Sequence, residues 1–129
     1  MGGEVQQSPA TILVVRGGTF VDVGFRAAMQ NAGRVHAAYG SYGVCVAWGP
    51  NMTLRDAVLS RPLRNPKLSV TDVARLRDGG FTVSAEPGTT KHLAGILWLP
   101  DRDPETFNRL AGLFDVVDSP FTRDERRLL

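Results

Sequence analysis

A histidine and a lysine stand side by side where an apolar strand begins, and they offer the clearest chemistry in the chain. The strand is predicted over residues 90–99, with His92 at its open end beside Lys91. Histidine titrates near neutral pH and can transfer a proton in general acid–base catalysis. Neighbouring cations would offset the charge of a phosphorane, as a metal-independent ribonuclease requires. His92 is therefore a candidate base for a ribose 2′-hydroxyl, or else a hairpin histidine that is hydrogen-bonded to its own turn.

Arg16 is a candidate for a further cation of the same catalytic site. It ends an apolar strand predicted over residues 11–16 and precedes Gly17, Gly18 and Thr19, which lead into a predicted helix. Glycine lets the backbone approach a ligand closely, and a helix N-terminus offers free N–H groups to an anion. The run matches neither a Walker loop nor a GxGxxG loop. It predicts either an anion-binding turn with Arg16 in a catalytic role, or a tight turn with a solvated arginine.

Glu86 suggests a second kind of chemistry, because it is the acidic residue nearest the hairpin. Paired with Arg16, it would provide one cation for the pyrophosphate of NAD and one carboxylate for a nucleophile. Tyr42, in a glycine-rich turn, could stack on a base or on nicotinamide. This combination predicts an ADP-ribosyltransferase-like enzyme. The alternatives are a solvated Glu86 in a Pro–Gly turn and a Tyr42 that packs at a strand entrance.

The middle of the chain is basic, and the part that follows is acidic. Residues 55–77 hold six Arg and Lys against two Asp, whereas residues 101–118 hold five acidic residues against two Arg. Basic segments contact phosphates in nucleic acids, so Arg61, Arg64 and Lys67 are candidate substrate-binding residues. The alternative is a dipolar, solvated surface.

Cysteine and histidine are too scarce for several classes of site. The chain has one Cys and two His, which excludes an internal disulfide and an ordinary structural zinc site. Cys45 lies within an apolar predicted strand, where a buried thiol is inert. We therefore expect no metal, and the RNA-directed hypothesis requires no cofactor.

Length and composition favour one globular domain. The chain has 129 residues, of which 43% are hydrophobic and 22% charged. No apolar run approaches the roughly 18 residues of a membrane span. The first four residues, MGGE, lack the basic and hydrophobic regions of a signal peptide. These features predict a cytoplasmic protein with no membrane partner.

The pattern of apolar residues and turn signals predicts a single α+β domain. Helices and strands are expected in the order β-α-β-α-β-α-β-β-α, with a mixed β-sheet of about five strands and three to four helices mostly on one face. Residues 1–10 are expected to be a flexible segment, residues 11–118 the domain, and residues 119–129 a charged tail.

The chain also resembles a family of small bacterial proteins that travel among mobile and toxin-like genes. The resemblance spans most of the chain and rests on four short motifs: Val15-Arg16-Gly17-Gly18, Gly43-Val44-Cys45-Val46, Lys91-His92 and Ser119-Pro120-Phe121. It implies a toxin-like protein, and it brings no mechanism with it.

Three functional hypotheses follow from the sequence. The first is a toxin-like enzyme that acts on RNA, and the second is a transferase that uses NAD. The third is a non-catalytic module that binds a protein partner, such as an inhibitor, or a second copy of itself.

Overall fold

A computed structural model of the protein describes residues 11–129, so the flexible segment predicted for residues 1–10 lies outside the described residues. The described part contains six strands and five helices. In chain order they are β1 (Ile12–Gly17), α1 (Val23–Tyr39), β2 (Gly43–Pro50), α2 (Leu54–Ser60), β3 (Lys67–Asp72), α3 (Val73–Asp78), β4 (Thr82–Ala85), β5 (Ala94–Trp98), α4 (Pro104–Ala111), β6 (Asp115–Asp118) and α5 (Arg123–Arg127). None of the helices between residues 11 and 129 has the length and apolar character needed to cross a bilayer.

The strands form one sheet in the order β4-β5-β2-β1-β3-β6, and every neighbouring pair is antiparallel. The predicted α+β single domain is confirmed. The sheet has six strands rather than about five, and it is antiparallel rather than mixed. The additional strand, β6, follows Gly112, which ends α4 earlier than the apolar stripe through Phe114 predicts.

The direction of α1 explains why β2 is antiparallel to β1. A helix between two strands usually returns the chain to the opposite end of the sheet, which makes the strands parallel. Here α1 runs across the strands instead. Its first residue, Val23, lies near Lys67 of β3, and its last residue, Tyr39, contacts Trp98 of β5 with ring centroids 6.2 Å apart. The chain therefore re-enters the sheet at the end that it left.

Both faces of the sheet are covered, and three helices pack on the larger core. Alternate residues of the central strands point to opposite faces. Val14 and Val46 pack with α1, α3 and α4, whereas Val15 and Ala47 pack with α2. The expectation of helices mostly on one face agrees with the first group, and α2 and α5 are the exceptions.

Residues 119–129, which the sequence analysis assigns to a charged tail, contain α5 and pack against the α2 side of the sheet. Phe121 is buried there, and the guanidinium of Arg55 lies 4.3 Å from its ring centroid. Thr122 and Glu125 form a capping box at the start of α5. An aromatic residue that reaches an apolar face explains why this segment is ordered.

Candidate functional site

The two central strands separate at one end, and this opening creates the site. Pairing between β1 and β2 ends at Val15 and Ala47. Beyond that point β1 continues to Gly17 on its β3 side, and β2 extends back to Gly43 on its β5 side. The backbone of Cys45 therefore has no ladder partner on β1.

Two side chains replace the missing ladder bonds. The backbone N–H of Cys45 donates to Asn31 Oδ1 at 2.7 Å, and Arg16 Nη1 donates to the carbonyl oxygen of Cys45 at 2.9 Å. Arg16 Nη1 also donates to Asn31 Oδ1 at 3.1 Å. Buried backbone polar groups need such partners, so Asn31 and Arg16 hold the opening in place.

The opening forms a first cleft of about 330 Å³, which we call the arginine cleft. Helix α1 contributes four residues spaced as one helix face. The full lining is Val15, Arg16, Gly17, Ala27, Gln30, Asn31, Arg34, Cys45, Val46, Ala47, Arg61, Leu63 and Asn65. Three guanidinium groups therefore border a cleft of a size typical for small ligands.

Arg16 has an unusual electrostatic environment. Burial lowers its pKa to about 10, and the positive charges of Arg61 and Arg34 act in the same direction, while Cys45 acts in the opposite one. A guanidinium is normally charged at any physiological pH, and Arg16 still is. Burial of the guanidinium, with no carboxylate paired to it among the described residues, accounts for the direction of this pKa shift.

A second cleft of about 560 Å³ adjoins the first and lies against the loop before β5; we call it the hairpin cleft. It brings together three of the four predicted catalytic residues with one predicted substrate-binding residue. The lining is Ser60, Arg61, Pro62, Glu86, Thr89, Lys91, His92, Leu93 and Ala94. The fourth predicted catalytic residue, Arg16, lies in the arginine cleft.

His92 lies in a turn, which corrects its predicted position on a strand. Strand β5 begins at Ala94, where the N–H of Glu86 donates to the carbonyl of Ala94 at 3.1 Å and closes the loop. The N–H of Ala94 donates to the carbonyl of Lys91 at 3.1 Å, so the chain turns instead of extending. His92 and Lys91 are both exposed, whereas Glu86 is partly buried.

Arg61 lines both clefts and pairs with Glu86. Its Nη2 atom lies 3.4 Å from Glu86 Oε1, and the side chains are 36% and 24% exposed. Burial alone would lower the pKa of Arg61, but its contact with the Cys45 side chain and the charge of Glu86 outweigh burial and raise it. Glu86 Oε1 also lies 3.9 Å from Cys45 Sγ. The pair fixes the carboxylate at the border between the two clefts.

The remaining predicted substrate-binding residues lie elsewhere. Tyr42 stacks on His36, with ring centroids 4.2 Å apart, and it lines neither cleft. Arg64 donates to the carbonyl oxygen of Leu129, with Nε at 2.8 Å, and Lys67 pairs with Asp118. These contacts hold structural elements together and leave the side chains away from the hairpin cleft.

Asn31, Arg34 and Cys45 belong to the site although sequence reasoning did not assign them to it. Cys45 lies in β2, so its predicted position in a strand is confirmed, but its side chain is only partly buried and lines the arginine cleft. Asn31 carried a usable signal, because it is a polar residue among the buried positions Ala28, Ala32 and Val35 of α1. Such a residue in an apolar stripe needs a buried partner.

Within residues 11–129, no three His, Cys, Asp or Glu side chains gather as a set of metal ligands.

Comparison with known proteins gives no family for the chain: no protein-family model, no curated protein and no solved structure matches it.

The Asn31→Ala variant should lose about 1–3 kcal/mol of unfolding free energy, because it leaves the partly buried N–H of Cys45 without its acceptor. Asn108→Ala is the matched control, since Asn108 is exposed on α4. Urea denaturation of both variants measures the difference. Equal stability of Asn31→Ala and the wild type would show that Asn31 does not support the opening.

Proposed function

We propose that the protein is a toxin-like, metal-independent ribonuclease that acts on cytoplasmic RNA through the hairpin cleft. The observation that carries the proposal is the shared lining of this cleft by Glu86, His92, Lys91 and Arg61. Two proton-transfer groups and two cations suit the cleavage of a ribose phosphodiester.

Glu86 and His92 would share the proton transfers. An ionised Glu86 takes the proton of the 2′-hydroxyl, and the 2′-oxygen attacks phosphorus. The bond from phosphorus to the 5′-oxygen breaks, and a protonated His92 donates its proton to that oxygen. The products are a 2′,3′-cyclic phosphate and a 5′-hydroxyl, so atoms and charges balance with no other reactant. The partly buried position of Glu86 beside Arg61 supports its assignment as the base in place of His92.

Arg61 and Lys91 would stabilise the charge that develops on the phosphorane. The Arg61 guanidinium lies 3.4 Å from Glu86, so a phosphate that contacts it is held beside the proposed base. Fixed cations that face a developing oxyanion are among the largest contributions to catalysis. Lys91 is exposed at the same cleft and adds a second positive charge.

The geometry favours RNA over NAD as the substrate. An NAD-dependent transferase would need Arg16, Tyr42 and Glu86 around one dinucleotide. Tyr42 lines neither cleft, and Arg16 and Glu86 line different clefts. The RNA hypothesis uses residues that already line one cleft.

The test is a DNA oligonucleotide that contains a single ribose, incubated with the purified protein in the presence of EDTA. We expect cleavage at the ribose alone and a 2′,3′-cyclic phosphate in the product mass. The all-deoxy oligonucleotide is the control, because it lacks the attacking hydroxyl and should stay intact. An intact ribose-containing substrate, or equal cleavage of both, would contradict the proposal.

A further inference from the structure

Three arginines give the arginine cleft an excess of positive charge within residues 11–129. Arg16, Arg34 and Arg61 line it, and in this part of the chain the one carboxylate that pairs with any of them is Glu86, which pairs with Arg61. Among the described residues, neither Arg16 nor Arg34 lies within salt-bridge distance of a carboxylate. Like charges around a small cleft repel each other, so this arrangement is stabilised when an anion enters.

Arg16 also keeps hydrogen-bond donors for such an anion. Its Nη1 atom bonds to Asn31 and Cys45, which fixes the plane of the guanidinium. Its Nε and Nη2 atoms have no acceptor in the described part of the chain. Both atoms remain accessible to solvent, since neither is among the fully buried polar atoms that lack a partner. A held guanidinium with free donors suits the oxygens of a phosphate.

The rest of the lining fits a phosphate group on a larger ligand. Gln30 and Asn65 add amide groups, and Gly17 leaves the backbone accessible. A Cβ added at Gly17 would meet the side chain of Asn65, which would have to move within this wall of the cleft. Ala27, Val46 and Leu63 give the cleft apolar walls, and charge interactions are stronger beside a wall of low dielectric constant.

We propose that the arginine cleft is a phosphate subsite, which holds the phosphate of an RNA chain next to the one cleaved in the hairpin cleft. This inference rests on the proposed function, because it places the two phosphates on one substrate. Arg61 lines both clefts, so two consecutive phosphates would share it. The subsite makes an oligonucleotide a better substrate than a minimal dinucleotide.

Cys45 allows phosphate binding to be tested without any cleavage. It is the sole cysteine of the chain and it lines the arginine cleft, so alkylation by iodoacetamide reports on this cleft. We expect inorganic phosphate to slow alkylation several-fold relative to chloride at equal ionic strength. This slowing of alkylation by phosphate should vanish in Arg34→Gln and persist in Arg26→Gln. Arg26 is the control because it is an exposed arginine of α1 outside the cleft. Equal alkylation rates in phosphate and chloride would overturn the phosphate subsite.

Cleavage of matched dinucleotides tests whether the subsite serves RNA. One dinucleotide carries no terminal phosphate, and two others carry an additional phosphate at the 5′ or the 3′ end. We expect one of the additions to raise kcat/KM about tenfold, mainly through KM, since a charge-assisted contact is gained. Arg34→Gln should remove that gain, whereas Arg26→Gln, outside the cleft, should keep it.

The outcomes separate the two proposals. Cleavage with no gain from either phosphate would overturn the subsite and leave the proposed function standing. Phosphate protection of Cys45 with no cleavage of any substrate would overturn the proposed function and support phosphate binding alone.

Discussion

Replacing His92 with alanine should slow RNA cleavage by about 100- to 10,000-fold, the range that a single general acid–base group contributes. His92 lines the hairpin cleft in an exposed turn, so its removal leaves the fold intact. His36→Ala is the matched control, because His36 is also exposed but stacks on Tyr42 away from the cleft. Single-turnover cleavage of the one-ribose substrate measures both variants, and an unchanged rate in His92→Ala would remove His92 from the mechanism.

Glu86→Gln should lower the rate by a similar factor and should change the pH profile in the opposite direction to His92→Ala. Loss of the base removes the fall in rate on the acidic side, whereas loss of the acid removes the fall on the basic side. Glu105→Gln on the exposed surface of α4 is the control for the change of charge. A purely structural role for Glu86 would lower the rate without altering the shape of the profile.

Phe107→Ala should produce the largest loss of stability, about 3–5 kcal/mol of unfolding free energy. Phe107 is 0% exposed in the larger core, and its ring meets that of Phe25 edge-on with centroids 5.6 Å apart. Truncation would remove this contact and leave a cavity between α4 and α1.

The control is Val116→Ala on β6, since Val116 is 54% exposed and its truncation should change stability by no more than about 0.5 kcal/mol. Chemical denaturation of the two variants and the wild type gives the comparison. Similar midpoints for Phe107→Ala and Val116→Ala would mean that the larger core does not hold α4 to the sheet.

Local patterns were enough to predict most of the elements. Runs that are apolar on both faces mark β1 and β2, and the Thr53 and Asp72 caps mark the starts of α2 and α3. Strand β6 escaped prediction because its four residues, DVVD, show no alternation and follow an apolar helix stripe. The antiparallel direction of β2 was also not predicted, because it depends on how α1 lies across the sheet. No local sequence pattern indicates the direction of a helix relative to the strands.

The hairpin cleft was more predictable than the arginine cleft for a simple reason. Glu86, Lys91 and His92 belong to one loop, so closeness in sequence implies closeness in space. The arginine cleft joins β1, α1, β2 and the segment after α2, and its contacts form only when these elements pack. The hydrogen-bond partners of Asn31 and the position of Arg34 at the cleft therefore become visible only in the folded structure.

Because of the opening between β1 and β2, the stability of this end of the sheet depends on the docking of α1, the helix that crosses it. In an unbroken sheet, strand pairing satisfies the backbone whether or not a helix is docked. Here the polar groups of Cys45 are satisfied by Asn31 of α1 and by Arg16, so this end of the sheet and the helix form one cooperative unit. Undocking of α1 from the sheet would leave the backbone of Cys45 without its Asn31 partner and would disrupt the arginine cleft in the same event. A substitution that alters phosphate binding in the arginine cleft is therefore also expected to alter the stability of this end of the sheet.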